Sequence, residues 1–309
     1  MKLAVIGGSS LVTFDPGTAF GEIGLSVASS ENLTCENKWG TVYIKKFELA
    51  KEGVQHTIFF MQQHSHGPDG GIATGITPPH KINYYANIWA IHELKVDFVL
   101  ATSSVGTIRE ALPPGRVAVA TQYIDFTGAA TTFFHDDAHF TSVTDPFDAK
   151  MNDLLIRTLR KEQGLPADHP MEFTTWLSTG PHYETKAEVN AIDRMGGDCC
   201  GMTAPREAKL CAELSLPFSC LLISSNWAAG RAPGDPTKAL NHEEVPRCPR
   251  PARTPRPRPR SRLTIALPPR LAGRRHLTAD HRHHHQVPDC DLHQRVKPRR
   301  FGGVPIFKR

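Results

Sequence analysis

Short apolar runs alternate with amphipathic stretches along most of this chain. Residues 2–6 are apolar and end at Gly7-Gly8-Ser9-Ser10, which predicts a strand followed by a tight turn. Residues 42–47 and 57–61 read as two further strands, joined by a polar link around Glu52-Gly53. A loop rich in glycine and proline, 67–79, leads into a helix over 80–94 with Pro78 and Pro79 at its entry. Residues 96–102 are almost continuously apolar, as suits a strand covered on both faces. The next strand is 117–124. Met151, Leu154, Leu155, Thr158 and Leu159 recur at helical spacing and predict an amphipathic helix over 148–161. A strand (173–178), two helices (184–195 and 205–214) and a strand (218–225) then follow in turn. This alternation predicts one α/β domain, with a central mixed, largely parallel sheet flanked by helices and functional residues at strand C-termini. No internal repeat is present.

Charge divides the chain. Residues 246–309 carry 15 Arg, 2 Lys and 3 Asp, a net +14, whereas residues 1–245 carry 19 basic and 28 acidic side chains, a net −9. The basic segment also holds 11 of the 25 prolines and 6 of the 16 histidines. Its Pro/Arg run at 251–260 cannot form helix, because proline removes backbone donors and clashes with the preceding turn. With few apolar residues and no periodicity, the segment cannot bury enough surface to offset its ordering entropy. The expected organisation is therefore a domain over 1–245 and a disordered Pro/Arg/His-rich tail over 246–309. Two readings of the tail stand: a basic arm for nucleic acid or a membrane surface, or non-native sequence from an out-of-frame extension. The abrupt change after Val245, inside a helix-like segment over 236–245, favours the second.

Seven cysteines, with no C-x-x-C pair and an odd count, give no disulfide framework and no zinc knuckle. The chain opens directly on a strand, and no apolar run approaches 18 residues. A soluble, cytoplasmic protein without membrane or nucleic-acid partners is expected.

The candidate chemistry gathers at strand ends. The turn at Gly7-Gly8-Ser9 suits an anion or a plain tight turn, and it is not a G-x-G-x-x-G fingerprint. His64-Ser65-His66 has the spacing of two metal ligands but lacks a third at convincing distance, so no metal is expected. Residues 101–110 end a strand in a hydroxyl-rich turn containing Ser103 and Ser104. The sequence GPHYETKAE at 180–188, then GMT at 201–203, then Asn226 supplies an aromatic face, a carboxylate, a thioether, a hydroxyl and a carboxamide. A flat heterocycle bearing a sugar needs that mixture: stacking for the ring, hydrogen bonds for its edge and soft packing for the ribose.

This ordered series resembles the trimeric purine nucleoside phosphorylase and methylthioadenosine phosphorylase family. That family carries G-P-x-F/L-E-T-x-A-E followed by G-M-S/T, and PPHKINYYANIWA at 78–90 is similar to its helix after the phosphate loop. The resemblance covers about residues 2–245. It implies that Tyr183 stacks on the purine and Glu184 meets its edge at N1, with Glu188 structural. It also implies that Met202 packs under the ribose, and that Thr203, Ser9, His64, Ser103 and Ser104 serve phosphate and sugar. Asn226 marks members that take 6-oxopurines, where others carry Asp. His242, in NHEEV at 241–245, would meet the 5′-hydroxyl, and Phe140 would enter a neighbouring subunit's site in a homotrimer.

The implied reaction is phosphorolysis of purine nucleosides to free base and ribose 1-phosphate, in purine salvage. Glu184 and Asn226 act on the base, phosphate is the co-substrate, and no cofactor is required. The alternatives are a methylthioinosine or methylthioadenosine phosphorylase, or an inactive relative with a nucleic-acid-binding tail. Two departures stand out. Ser10 replaces a usual glycine, and Gln63 stands where the family has an arginine on phosphate, predicting weaker phosphate binding because a carboxamide lacks the two-pronged charged grip. The family's closing C-terminal helix is also missing after Val245.

Removal of residues 246–309 should leave circular dichroism and melting temperature almost unchanged. Loss of folding on truncation would overturn the reading of the tail as disordered.

Overall fold

The computed structural model describes residues 1–12, 14–22, 24–51, 53–65 and 76–238, which form one unit. His242, residues 239–245 of the helix-like segment, the domain boundary at Val245 and the tail lie outside the described residues. The strands are β1 Lys2–Gly7, β2 Ser26–Asn37, β3 Gly40–Lys51, β4 Val54–Gln62, β5 Phe98–Thr107, β6 Val117–Ile124, β7 Glu172–Leu177, β8 Cys199–Gly201 and β9 Phe218–Trp227. The helices are α1 Pro16–Glu22, α2 Tyr84–Glu93, α3 Ala149–Glu162, α4 Lys186–Arg194 and α5 Ala204–Glu213.

All nine strands belong to one mixed sheet in the order β2-β3-β4-β1-β5-β8-β7-β6-β9, with β5 also paired to β9. That second pairing closes β5, β8, β7, β6 and β9 into a ring, leaving β1, β4, β3 and β2 as an open extension. The β1–β4, β1–β5, β5–β9, β6–β7 and β7–β8 pairs are parallel, and the other four are antiparallel. The expected mixed α/β sheet is present; its closure into a ring is set by long-range pairing.

Several elements differ from the sequence expectation for identifiable reasons. β2 lacks apolar alternation and is exposed along most of its length, so no periodicity announces it; pairing with β3 across eleven registers makes it a strand. The helix expected over 80–94 is split. A 3-10 turn at Pro79–Lys81 ends in extended Ile82, and α2 starts only after Asn83, whose side chain accepts the Ala86 amide hydrogen at 3.0 Å. Residues 103–107 continue β5 rather than turning, because β9 pairs with them in parallel to Thr107.

The central core contains Ile88 and Ile91 of α2, Leu210 of α5 and Leu222 of β9, all essentially inaccessible. Full burial of each such side chain contributes about 1.5–3 kcal/mol. This core fixes α2 and α5 against the sheet, and α5 starts beside Thr203 on the rim of a cavity at the strand ends. The expected helix over 184–195 begins at Lys186, held by a capping box. Thr185 receives the Glu188 amide hydrogen at 3.2 Å, while the Glu188 carboxylate accepts the Thr185 backbone N–H at 2.7 Å. Glu188 is thus structural, as the resemblance implied.

Candidate active site

A cavity of about 380 Å³ opens where β1, β5, β7, β8 and β9 end. Its floor is built from a gap in strand pairing. One edge of β5 pairs with β1 through Ala101 and with β8 only from Gly106, so residues 102–105 have no strand neighbour there. The turn after β1 takes that place through side chains. The Gly8 N–H donates to Thr102 Oγ1 at 2.9 Å, the Ser10 N–H to Ser104 Oγ at 3.1 Å, and the Ser9 hydroxyl to Ser104 Oγ at 2.9 Å. A Cβ on Gly8 would lie 2.3 Å from the Thr102 carbonyl oxygen, so only glycine permits this approach.

His64 follows β4. Its amide hydrogen is accepted by Gln62 Oε1 at 3.2 Å, and its Nδ1 lies 2.8 Å from the Thr77 carbonyl. A carbonyl can only accept, so Nδ1 carries hydrogen and the tautomer is defined by that bond. Thr203 caps α5 at the opposite wall. Between them lie Ser9, Ser103 and Ser104, giving this end of the cavity a lining of hydroxyls and one imidazole.

The other end holds Tyr183, Glu184, Met202 and Asn226. Gly180 has φ +66°, and a Cβ there would sit 2.8 Å from Met202 Sδ, so the turn bearing Tyr183 and Glu184 folds directly over the thioether. Arg206 and Tyr84 hold the Met202 carbonyl from behind, at 2.8 Å from Nη1 and 3.4 Å from the phenol oxygen. Burial raises the Glu184 carboxyl above its ordinary value, while a hydrogen bond from the Ser178 hydroxyl partly offsets the shift. Asn226 is held at both amide ends: the Ser225 hydroxyl donates to Oδ1 at 2.8 Å, and Nδ2 donates to the Trp227 carbonyl at 2.9 Å. A flipped amide would set its oxygen against that carbonyl, so the orientation is determined. One N–H and one lone pair remain for a ligand. Cys200 also lines the cavity, but burial pushes its thiol far up and keeps it neutral and unreactive.

Nine of the twelve candidate side chains line this cavity. Three do not. His242 is outside the described residues. Phe140 is 95% exposed on a loop, away from the cavity of its own chain. Gln63 is the third: its side chain is buried and lines a separate cavity on the β3–β4 side, next to Glu207 of α5. In the turn after β4, His64 enters one cavity, its ring held against the Thr77 carbonyl, and Gln63 turns away toward α5. Arg109, the other arginine near β5, is bound to Asp193 and Asp198 at 2.6 Å each and does not line the site. Ser178 and Ser225, which orient Glu184 and Asn226, carry no signal in sequence beyond proximity. Among the described residues, no group of three or more His, Cys, Asp or Glu side chains could hold a metal ion, and no helix is long and apolar enough to cross a membrane.

The family model described as the phosphorylase superfamily matches residues 22–249. The chain belongs to this superfamily. It is 34% identical over 253 residues to a probable 6-oxopurine nucleoside phosphorylase of Thermococcus kodakarensis, covering 79% of this chain and 84% of the relative. It is 31% identical over 232 residues to a probable S-methyl-5′-thioinosine phosphorylase of Methanopyrus kandleri, covering 74% and 80%. Among solved structures it is similar to a methylthioadenosine phosphorylase from an antarctic soil metagenomic library. That likeness has a TM-score of 0.61 and 28% identity, over 77% of each chain. Enzymes of this kind are pentosyltransferases, and the site has the mixed polar and apolar lining such a reaction requires.

Replacing Gly8 with Ala should force the turn away from Thr102 and cost about 1–3 kcal/mol, the range for overpacking a filled site. Urea unfolding of the two proteins measures the difference. An unchanged midpoint would show that the turn moves without cost.

Proposed function

We propose that this protein cleaves 6-oxopurine nucleosides with inorganic phosphate, giving the free purine and ribose 1-phosphate, in the cytoplasm and as a homotrimer. The observation that carries the substrate class is the fixed Asn226 carboxamide in the same cavity as half-buried Glu184. The free N–H of Asn226 suits a purine O6, and its remaining lone pair suits a protonated N7. The ionised Glu184 carboxylate accepts from N1–H, a donor that 6-oxopurines possess and 6-aminopurines lack. Tyr183 offers a stacking face, and Met202 lies under the ribose.

In the reaction the C1′–N9 bond breaks and its electron pair passes to the purine, while a phosphate oxygen forms the new bond at C1′. Positive charge builds on the sugar and negative charge on the base. The hydroxyls of Ser9, Ser103, Ser104 and Thr203, with His64, hold phosphate next to C1′, and Asn226 stabilises the charge reaching N7 and O6. Phosphate is a co-substrate; no metal or organic cofactor takes part.

A second reading on the same site is a 5′-methylthioinosine phosphorylase, favoured by the relative of that name in Methanopyrus kandleri. Turnover of inosine against 5′-methylthioinosine decides between them. Absence of turnover on all nucleosides, with phosphate saturating, would overturn both.

Glu184→Gln should lower kcat/KM for inosine roughly 10- to 100-fold, the loss of a charged hydrogen bond of about 1.5–3 kcal/mol. Burial raises the folded pKa of Glu184, so its carboxylate is lost as pH falls at a higher pH than for an ordinary glutamate. The parent should show that acid limb in kcat/KM, and the Gln variant should not. Asn226→Asp should shift preference from inosine toward adenosine, read as the ratio of their kcat/KM values. Equal or better adenosine cleavage by the unchanged protein would refute the base assignment.

A further inference from the structure

Gln63 and Glu207 are buried together behind the phosphate end of the cavity, and neither has a settled partner. Gln63 is 6% exposed and Glu207 is 1% exposed. The Gln63 carboxamide lies beside the Glu207 carboxyl, yet no bond of proper distance and angle joins them. Gln63 Nε2 and Oε1 and both Glu207 carboxyl oxygens are without hydrogen-bond partners. Among the described residues Glu207 also has no ion pair. Four orphaned polar atoms in one buried place are a large cost unless they satisfy one another.

One arrangement satisfies all four. A carboxylic acid and a carboxamide form two complementary bonds: the acid O–H donates to the amide oxygen, and the amide N–H donates to the acid carbonyl. An ionised carboxylate could take only the amide N–H and would set its second oxygen against Gln63 Oε1. We propose that Gln63 and a protonated Glu207 form a buried acid–amide pair that joins the strand end bearing His64 to the helix start bearing Thr203, positioning the phosphate side of the site. Glu207 is then a positioning residue that works only while it keeps its proton.

The surroundings agree. Burial pushes the Glu207 carboxyl up to about 8, with Gln63 and Arg206 opposing the shift. The other titratable groups facing it are Tyr84 on α2, Cys211 on α5 and Cys220 on β9. Burial raises each of these and keeps it neutral. Arg206 is the neighbouring cation, and its guanidinium is committed to the Met202 carbonyl. The mechanical link is direct. The Gln63 backbone N–H donates to the Gly7 carbonyl at 3.3 Å and the Gln62 side chain holds both the His64 backbone N–H and the Gly8 carbonyl, so residues 62–64 are tied to the β1 turn on one side. Glu207 ties them on the other side to α5, four residues beyond Thr203.

This proposal rests on the phosphorolytic reading, and its test separates the two. Steady-state phosphorolysis by the full chain should show a phosphate KM that rises above pH 8, approaching tenfold per unit, relative to Glu207→Gln. In that variant an amide–amide pair keeps two bonds and has no proton to lose. It should match the parent within about threefold at pH 7 and stay flat where the parent climbs, with the nucleoside KM little changed. Phosphate's own ionisation is common to both proteins and cancels in the ratio.

Stability gives a readout without substrate. The folded value of about 8 lies above the ordinary 4.5, so the native state holds a proton that the unfolded chain has lost between these values. The contribution is fully present below pH 4.5 and is lost as pH rises through 8, so the parent's melting temperature should fall across that window more than the variant's. If Glu207→Gln does not fold, infrared spectra of Glu184→Gln decide. A neutral carboxyl band at pH 7 that vanishes by pH 10 supports the pair. Its absence at pH 7, or the same alkaline rise in phosphate KM in the Glu207→Gln variant, overturns it. Failure to turn over any nucleoside removes the functional reading and leaves the infrared and melting results to judge the pair.

Discussion

The site depends on how β5 shares its edges. One edge is occupied by β9 along nearly the whole strand; the other is taken first by β1 and later by β8, with residues 102–105 between them unpaired. Backbone groups without strand partners must find others. Hydroxyls of Thr102 and Ser104 supply bonds to the incoming turn at Gly8 and Ser10. The gap that interrupts the sheet is therefore the same feature that creates the polar end of the cavity. The register shift between Val105 and Gly106 brings Asn226 level with Gly106 at the opposite end.

The closed ring then divides the chemistry. β7, β8 and β9 deliver Tyr183 with Glu184, Met202 with Thr203, and Asn226 to one rim. Neighbouring groups hold three of them: Ser178 holds Glu184, and Arg206 with Tyr84 the Met202 carbonyl, from outside the cavity, while Ser225, itself on the lining, holds Asn226. Such support lets a few polar groups keep one orientation inside a largely apolar lining, which is what preorganised stabilisation of a leaving base demands. Acids with raised pKa values occur at both ends, one half-buried and one fully buried. Glu184 borders the base end, and Glu207 lies behind the phosphate end without touching the cavity.

Much of this was legible along the chain. Strands 2–6, 117–124 and 218–225 follow from apolar runs that bury against the core, and the helix over 148–161 from helical spacing, although Leu154 and Thr158 of that pattern are exposed and Asn152 and Ile156 are its fully buried residues. The helix expected over 184–195 is present, and its start two residues later is set by the capping box of Thr185 and Glu188, a contact between residues three apart. Nine site residues were legible because they lie in recognisable motifs, most of them at or just past strand ends, although Ser103 and Ser104 lie within β5. β2 was not legible: it is an exposed edge strand whose side chains meet little core, and only its pairing with β3 defines it. β8, three residues long, has no periodicity to read.

The sequence by itself determined local matters: which segments bury a face, where helices are capped, which side chains stand at strand ends, and that residues 246–309 differ in composition from the rest. The tertiary structure decided what depends on partners far along the chain. The second pairing of β5 closes the ring through residues about 120 positions away, and no local pattern encodes it. It also decided that Gln63, adjacent to His64, faces away from the phosphate end and toward Glu207, because direction in the turn after β4 is set by what packs behind it. Residue type can be read in order, but side-chain direction is fixed only when distant elements occupy the space on either side.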